Sequence, residues 1–260
     1  MSVSITYSVF TKPWKMPVPQ PGEFVASMGF DGIELPVRPG YQVELESVEE
    51  LPVMANRLAN FGVRILSVAG PTDEATMAAC AEAGVSIIRT MVRVGPGGYL
   101  ATEAKTQKEF DALVPLLDRY GVTIGVQNHC DRFVCNAMGL RHLIEKYDPR
   151  HIGAVWDAAH NALNGEDREL ALDIIWSHLC MVNFKNAFWR RVTGLEAEYA
   201  EWKHHWTSGR QGLAPWPRVA AELKARNYEG IICLTAEYDD HDSVDRLIAE
   251  DIAFARSLFS

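Results

Sequence analysis

The sequence has no run of about 18 uninterrupted apolar residues, so neither a membrane-spanning helix nor a membrane partner is expected. Its five cysteines, Cys80, Cys130, Cys135, Cys180 and Cys233, are odd in number and lack Cys-x-x-Cys spacing. Reduced, mostly buried thiols are therefore expected rather than a disulfide framework. No Gly-x-Gly-x-x-Gly follows the first apolar run, so no nucleotide cofactor is expected. Positive charge is short as well: 25 Lys and Arg against 34 Asp and Glu leave a formal charge of −9. That balance argues against a nucleic-acid partner, because gripping a phosphate backbone needs clustered Lys and Arg. It suits a cytoplasmic protein acting on small molecules. The opening Met1-Ser-Val-Ser-Ile-Thr-Tyr7 has neither a basic nor an apolar stretch, so no secretory leader is expected.

Apolar residues make up 48% of the 260, enough for one large core and too many for a disordered chain. Short β-branched runs recur at 5–8, 32–35, 63–68, 85–92, 122–127, 152–156, 180–184 and 231–236. Their continuous apolar character is what a parallel sheet covered by helices requires. Helical stripes lie between them. Phe110, Leu113, Val114 and Leu117 recur at helical spacing before a stop at Gly121, and Met77, Cys80 and Ala81 do so before Gly84. Val244, Leu247, Ile248, Ile252 and Ala255 form the inward face of a last helix capped by Asp242 or Ser243, and Pro217 suits a first helical turn. Eight strand–helix units without a linker predict a single α/β domain over residues 1–260, a closed (β/α)8 TIM barrel. Gly95-Pro96-Gly97-Gly98 is expected to be a flexible loop rather than a helix start. The stretch from 187 to about 215 is expected to be a long loop after the seventh strand. It is rich in Trp, His and Arg, and suited to a lid or a subunit contact.

In such barrels the reacting groups lie at the carboxyl ends of the strands. The polar residues there are Glu34, Arg89, Arg93, Gln127, His129, Asp157, His160, Asn183, Lys185 and Glu237. A wet barrel mouth accounts for any one of them, but less easily for a ring supplied by strands two and five through eight.

The order of motifs is specific. Gly29-Phe-Asp-Gly32-Ile-Glu34, then Gln127-Asn-His129, Asp157-x-x-His160, Asn183-Phe-Lys185-Asn186, Gly212-Leu-Ala-Pro-Trp216 and Glu237-Tyr resemble the xylose-isomerase-like superfamily of sugar isomerases and epimerases. The resemblance implies a Glu, an Asp, a His and a Glu around one divalent cation (Mn, Mg, Co or Zn), the two Glu residues exchanging a carbon-bound proton. Carried over, the metal positions are Asp157 and Glu237, with Gln127 and Asn183 where the family has Glu and His. Asn186 stands for its Asp, His160 for its helper His, and Arg210 for an Arg on the seventh loop. A carboxamide oxygen carries no net charge and cannot accept a proton near neutral pH. Losing one carboxylate removes roughly 4 kcal/mol of attraction per unit of cation charge at ~4 Å and an effective dielectric of ~20, before desolvation. Metal affinity is therefore expected to fall or vanish, and two-carboxylate proton exchange to be disabled.

Three functions follow. The first is a sugar or keto-sugar isomerase, epimerase or related lyase, with Glu237 as base, His160 and Lys185 polarising a carbonyl, and Glu34, Gln127, His129, Asn183 and Arg210 binding substrate. The second is a degenerate barrel that binds carbohydrate or serves as a partner subunit. The third, an abasic-site nuclease, is opposed by the amides and the acidic charge. A homo-oligomer is implied by resemblance alone.

Overall fold

The computed structural model describes residues 4–14 and 20–260. Eight parallel strands close a barrel: β1 (Thr6–Phe10), β2 (Gly32–Pro36), β3 (Arg64–Ala69), β4 (Ile87–Thr90), β5 (Thr123–Gln127), β6 (Ile152–Asp157), β7 (Leu179–Phe184) and, after a hairpin, β10 (Ile231–Leu234). Neighbours in sequence are neighbours in space until β10, which pairs with β7 on one side and β1 on the other. Strands β2 and β6 are buried along their whole length, including Glu34 and Asp157, as in a parallel sheet covered by helices. The fold predicted from the sequence is the fold observed.

Helices α1 (Gln20–Ser27), α2 (Leu51–Ala59), α3 (Glu74–Glu82), α4 (Gly98–Tyr120), α5 (Ala137–Ile144), α6 (Ala158–Leu163), α7 (Arg168–Ile175), α8 (Trp216–Ala225) and α9 (Val244–Phe259) lie between or after the strands. None among the described residues is long and apolar enough to cross a membrane. Asp73, Asn136, Asp157 and Asp167 cap α3, α5, α6 and α7 by accepting backbone N–H bonds, each worth about 1 kcal/mol. Gly121 ends α4 in the left-handed region at φ +63°, where a residue without Cβ is unstrained. Phe10, Ala69, Ile87, Val155, Met181 and Cys233 form a separate apolar cluster within the barrel. All five cysteines are free thiols.

Three local expectations are corrected. The stretch after β7 is not a plain loop: β8 (Asn186–Arg191) and β9 (Trp202–Thr207) pair antiparallel as a ribbon whose root is buried and whose tip is exposed. Charged and aromatic residues on both faces hide its period of two. Gly95-Pro96-Gly97-Gly98 does lead into a helix, with Gly97 at the cap position and Gly98 the first residue of α4. The apolar stripe of this helix begins only at Phe110, and its polar, largely exposed first half carries no helical period in the sequence. Ser243 occupies the cap position of α9 but makes no capping bond, because a 3-10 turn at His241–Ser243 precedes it.

Candidate active site

Five strands bring a continuous polar chain to the mouth of the barrel. Glu34 on β2 is buried and takes a two-pronged ion pair from Arg89 on β4, Nε to Oε1 at 2.8 Å and Nη2 to Oε2 at 2.7 Å. Ser67 Oγ donates to the same Glu34 Oε1 at 3.0 Å. The third arm of Arg89 donates to Gln127 Oε1 on β5. Gln127 Nε2 in turn donates to Asp157 Oδ2 at 2.9 Å on β6, and Asn183 Nδ2 on β7 donates to the same oxygen at 3.3 Å. Asp157 Oδ1 accepts from the backbone N–H groups of Ala159 and His160 at the start of α6. Burial pushes the Asp157 carboxyl above its ordinary value, against the pull of Lys185 and these donors. Burial would lower the Arg89 pKa, but Glu34 more than reverses this and holds the guanidinium charged.

On the other side of the mouth, Glu237 follows β10 and is held by two ammonium groups. Lys185 donates to Oε2 at 2.7 Å, and Lys12, just past β1, donates to Oε1. Burial alone would raise the Glu237 pKa; the two lysines overrule it and set it well below the usual carboxylate range. Ala236 before it sits at φ +52°, a left-handed conformation costly for a residue with a Cβ, and this bend fixes where Glu237 points. Trp206 on β9 roofs the site, with Lys185 Nζ 3.7 Å from its ring centre and the His160 ring edge-on at 5.1 Å.

His129 and His160 stack with ring centres 3.9 Å apart. Their hydrogen bonds assign opposite tautomers. His160 Nδ1 accepts from the Cys130 N–H at 3.1 Å, so its proton is on Nε2, which is buried and makes no hydrogen bond, with Asp157 Oδ2 3.9 Å away. His129 Nδ1 meets the Cys130 carbonyl oxygen at 2.8 Å and must donate to it, leaving Nε2 as a lone pair. Burial lowers both pKa values, that of His160 far below normal, with Lys185 adding to the effect, so both rings are neutral at pH 7. Both rings line a cavity of about 60 Å³ with Arg89, Gln127, Lys185 and Glu237. A second cavity of about 250 Å³ shares Lys12 and Glu237 with it and carries Trp206 in its wall. A larger surface cleft, about 510 Å³ beside Thr6, Arg64 and Ile231, lies at the opposite end of the strands and contains none of these groups.

The donors do not fit the divalent cation that the resemblance implies. Gln127 turns its only good ligand atom to Arg89, both Glu237 oxygens face lysines, and both Asp157 oxygens already accept two bonds each. Of the oxygens at these four positions, Asn183 Oδ1 alone is buried without a partner among the described residues. A cation here would have to displace three protein cations. A nearby group, His129, Cys130 and His160, brings ligand atoms within 4.8 Å of one another. There the His160 Nδ1 lone pair is taken and the Cys130 thiol is pushed up to about 12, by burial first and then by Asp131.

Of the residues expected from sequence, Gln127, His129, His160, Lys185 and Glu237 meet at the inner cavity, with Asp157 and Asn183 bonded into its wall. Glu34 is buried behind Arg89. Arg210 is absent from that cavity: it is exposed, its guanidinium 3.9 Å from the Phe254 ring centre on α9. Its place follows from the buried turn at Ser208 and Gly209, which Asp251 holds against α9. Lys12 and Arg38 line the cavity and were missed. Each stands two residues beyond a strand, at Phe10 and Pro36, and that spacing was the available signal. Asn186 is structural: it bonds Gly209 O, Ala214 O, Ala214 N and Ala187 N, pinning the return of the ribbon. A Cβ on Gly212 would lie 2.0 Å from Asn186 Oδ1, so that contact requires glycine.

A closed eight-stranded barrel with its polar residues gathered at the carboxyl ends of the strands defines the class. Residues 23–258 match the family profile described as xylose isomerase-like TIM barrel, and the chain belongs to that family. A D-psicose 3-epimerase crystallised in the presence of D-fructose superposes with a TM-score of 0.73 at 13% identity, over 98% of this chain and 99% of its own. A probable 3-DHS dehydratase from Bacillus anthracis gives 0.72 at 12%, over 96% and 98%. A xylose isomerase domain protein from Planctomyces limnophilus gives 0.72 at 15%, over 98% and 97%. At these identities the likeness is one of fold. No curated protein sequence matches the chain.

Proposed function

We propose that this barrel moves a carbon-bound proton next to the carbonyl of a sugar, keto-sugar or related polyol, in an isomerase, epimerase or lyase step that needs no metal. The observation that carries this reading is the stacked pair of oppositely protonated imidazoles, one offering a lone pair and the other an unpartnered N–H beside the same cavity. His129 Nε2 takes the proton from carbon, and the electron pair moves onto the carbonyl oxygen. The His160 Nε2–H and the Lys185 ammonium stabilise that developing oxyanion. Return of the proton to the neighbouring carbon, with the hydroxyl proton passing to the oxyanion, gives an isomer; protonation of the opposite face by a second donor, the Lys185 ammonium, gives an epimer; and loss of a β-hydroxyl as water, protonated by the His129 imidazolium, completes a lyase step. Glu237, expected from sequence to be the base, suits this task poorly, because two lysines hold it strongly ionised. Its part is to position Lys12 and Lys185.

The test is exchange of substrate C–H for deuterium in heavy water, followed by proton NMR across a panel of ketoses and polyol acids, with and without chelator. Exchange is expected to survive chelation and to drop by about 10²-fold or more in H129N, with a smaller loss in E237Q. The reverse order of losses would return the base to Glu237. Binding without exchange anywhere in the panel would make the barrel a carbohydrate-binding or partner subunit.

A further inference from the structure

We infer that the ligand of this mouth carries an anionic group, a carboxylate or a phosphate, held between Arg38, Lys12 and Lys185. The inference rests on reading the mouth as the ligand site. Four cations, Lys12, Arg38, Arg89 and Lys185, line the inner cavity against one carboxylate, Glu237, in a chain whose formal charge is −9. Arg89 is neutralised by Glu34 behind it. Lys12 and Lys185 share Glu237, and the buried Asp157 carboxyl in the cavity wall also attracts Lys185. Arg38 is half-buried, its guanidinium 5.6 Å from the Tyr41 ring centre, and no carboxylate among the described residues forms an ion pair with it.

Arg38, without a carboxylate of its own, stands in one cavity wall with three further cations, and an anion there relieves their repulsion with charge-assisted hydrogen bonds. Lys12 and Arg38 reach solvent, whereas Lys185, at 5% side-chain exposure, lies deeper. The anion therefore belongs at the outer end, where the small cavity opens to the larger one beside Lys12. The neutral end of the ligand points to two of the buried polar atoms without hydrogen-bond partners, the His160 Nε2–H donor and the Asn183 Oδ1 acceptor. A hydroxyl group can serve both, accepting from the first and donating to the second. The implied ligand is a short polyhydroxy acid or a sugar phosphate rather than a neutral sugar.

Calorimetric titration of the full chain with D-glucose, D-glucuronate and D-glucose 6-phosphate, and with malonate and inorganic phosphate as minimal probes, tests this at low and at moderate salt. At least one anion is expected to bind about tenfold or more tighter than glucose and to weaken as salt rises. R38Q should lose about tenfold in anion affinity, while R38K retains most of it, the conservative variant controlling for folding. Preference for glucuronate and malonate assigns a carboxylate, and preference for the phosphates a phosphoryl group. Glucose binding as tightly as the anions, no binding of any anion, or unchanged anion affinity in R38Q would each overturn the inference. Anion binding without deuterium exchange would keep this inference and remove the catalytic reading; exchange with neutral sugars alone would do the opposite.

Discussion

Gln127 accepts from Arg89 through its oxygen and donates to Asp157 through its nitrogen, a bridge between a cation and an anion. A glutamate at this position could still take the arginine, but its other oxygen would face the Asp157 carboxylate without a donor between them. The amide, which from sequence alone looks like a lost ligand, is the group this wiring requires. Q127E is accordingly expected to lose about 1–3 kcal/mol of stability near pH 8. The loss should shrink near pH 5, because one proton shared between the two carboxyls removes their repulsion. That raised pKa gives stability present at low pH and lost as pH rises. Urea unfolding at the two pH values checks the sign, and added manganese should restore nothing. Equal stability of Q127E and the parent at both pH values would show that the bridge carries no weight.

Among the elements, the β8–β9 ribbon and α9 decide how the site is covered. Asp251 on α9 accepts from the Gly209 N–H with both carboxylate oxygens and from the Tyr238 hydroxyl at 2.9 Å, tying α9 to the foot of the ribbon and to the strand end beside Glu237. Burial raises the Asp251 pKa from 3.8 to about 6. Because the folded value is the higher one, its contribution is complete below the unfolded pKa and is lost as pH rises through about 6. At full effect this is about 3 kcal/mol. The unfolding free energy of the parent minus that of D251N should therefore fall between about pH 4 and pH 7 and then level off. A difference constant across that range would mean the carboxyl is not perturbed. The tie also bears on Trp206, since the ribbon that Asp251 anchors carries the roof over Lys185.

At the scale of the whole molecule, an acidic chain surrounds a mouth lined mainly by cations. Duplex DNA carries its charge along an extended surface, and the mouth is too small and too recessed to meet it. Fluorescence anisotropy with nicked or abasic duplex near 0.15 M salt is expected to show no binding. Tight, salt-dependent binding would instead revive a nuclease reading. The barrel architecture places Glu34, Arg89, Gln127, Asp157 and Asn183 on five different strands yet in one bonded chain. Removing any member should be felt at the others. Replacing Arg89 would strand Glu34 as an unpaired buried charge, the costliest single change this mouth offers.

The architecture was legible in the sequence because it depends on local pattern: continuous apolar strands, helical stripes, and stops such as Gly121. The places of Gln127, His129, Asp157, His160, Asn183, Lys185 and Glu237 were legible too, since strand ends can be located from the same pattern. The ribbon and the first half of α4 were not, because their exposed residues carry no apolar period. Nor could the sequence tell which group faces which. Lys12 reaches Glu237 across 225 residues and Lys185 reaches it across 52, and these contacts exist only once the barrel closes. Closure turns Gln127 toward Arg89 and brings His160 to the Cys130 N–H, which sets its tautomer, because these hydrogen bonds depend on partners that chain order does not bring together.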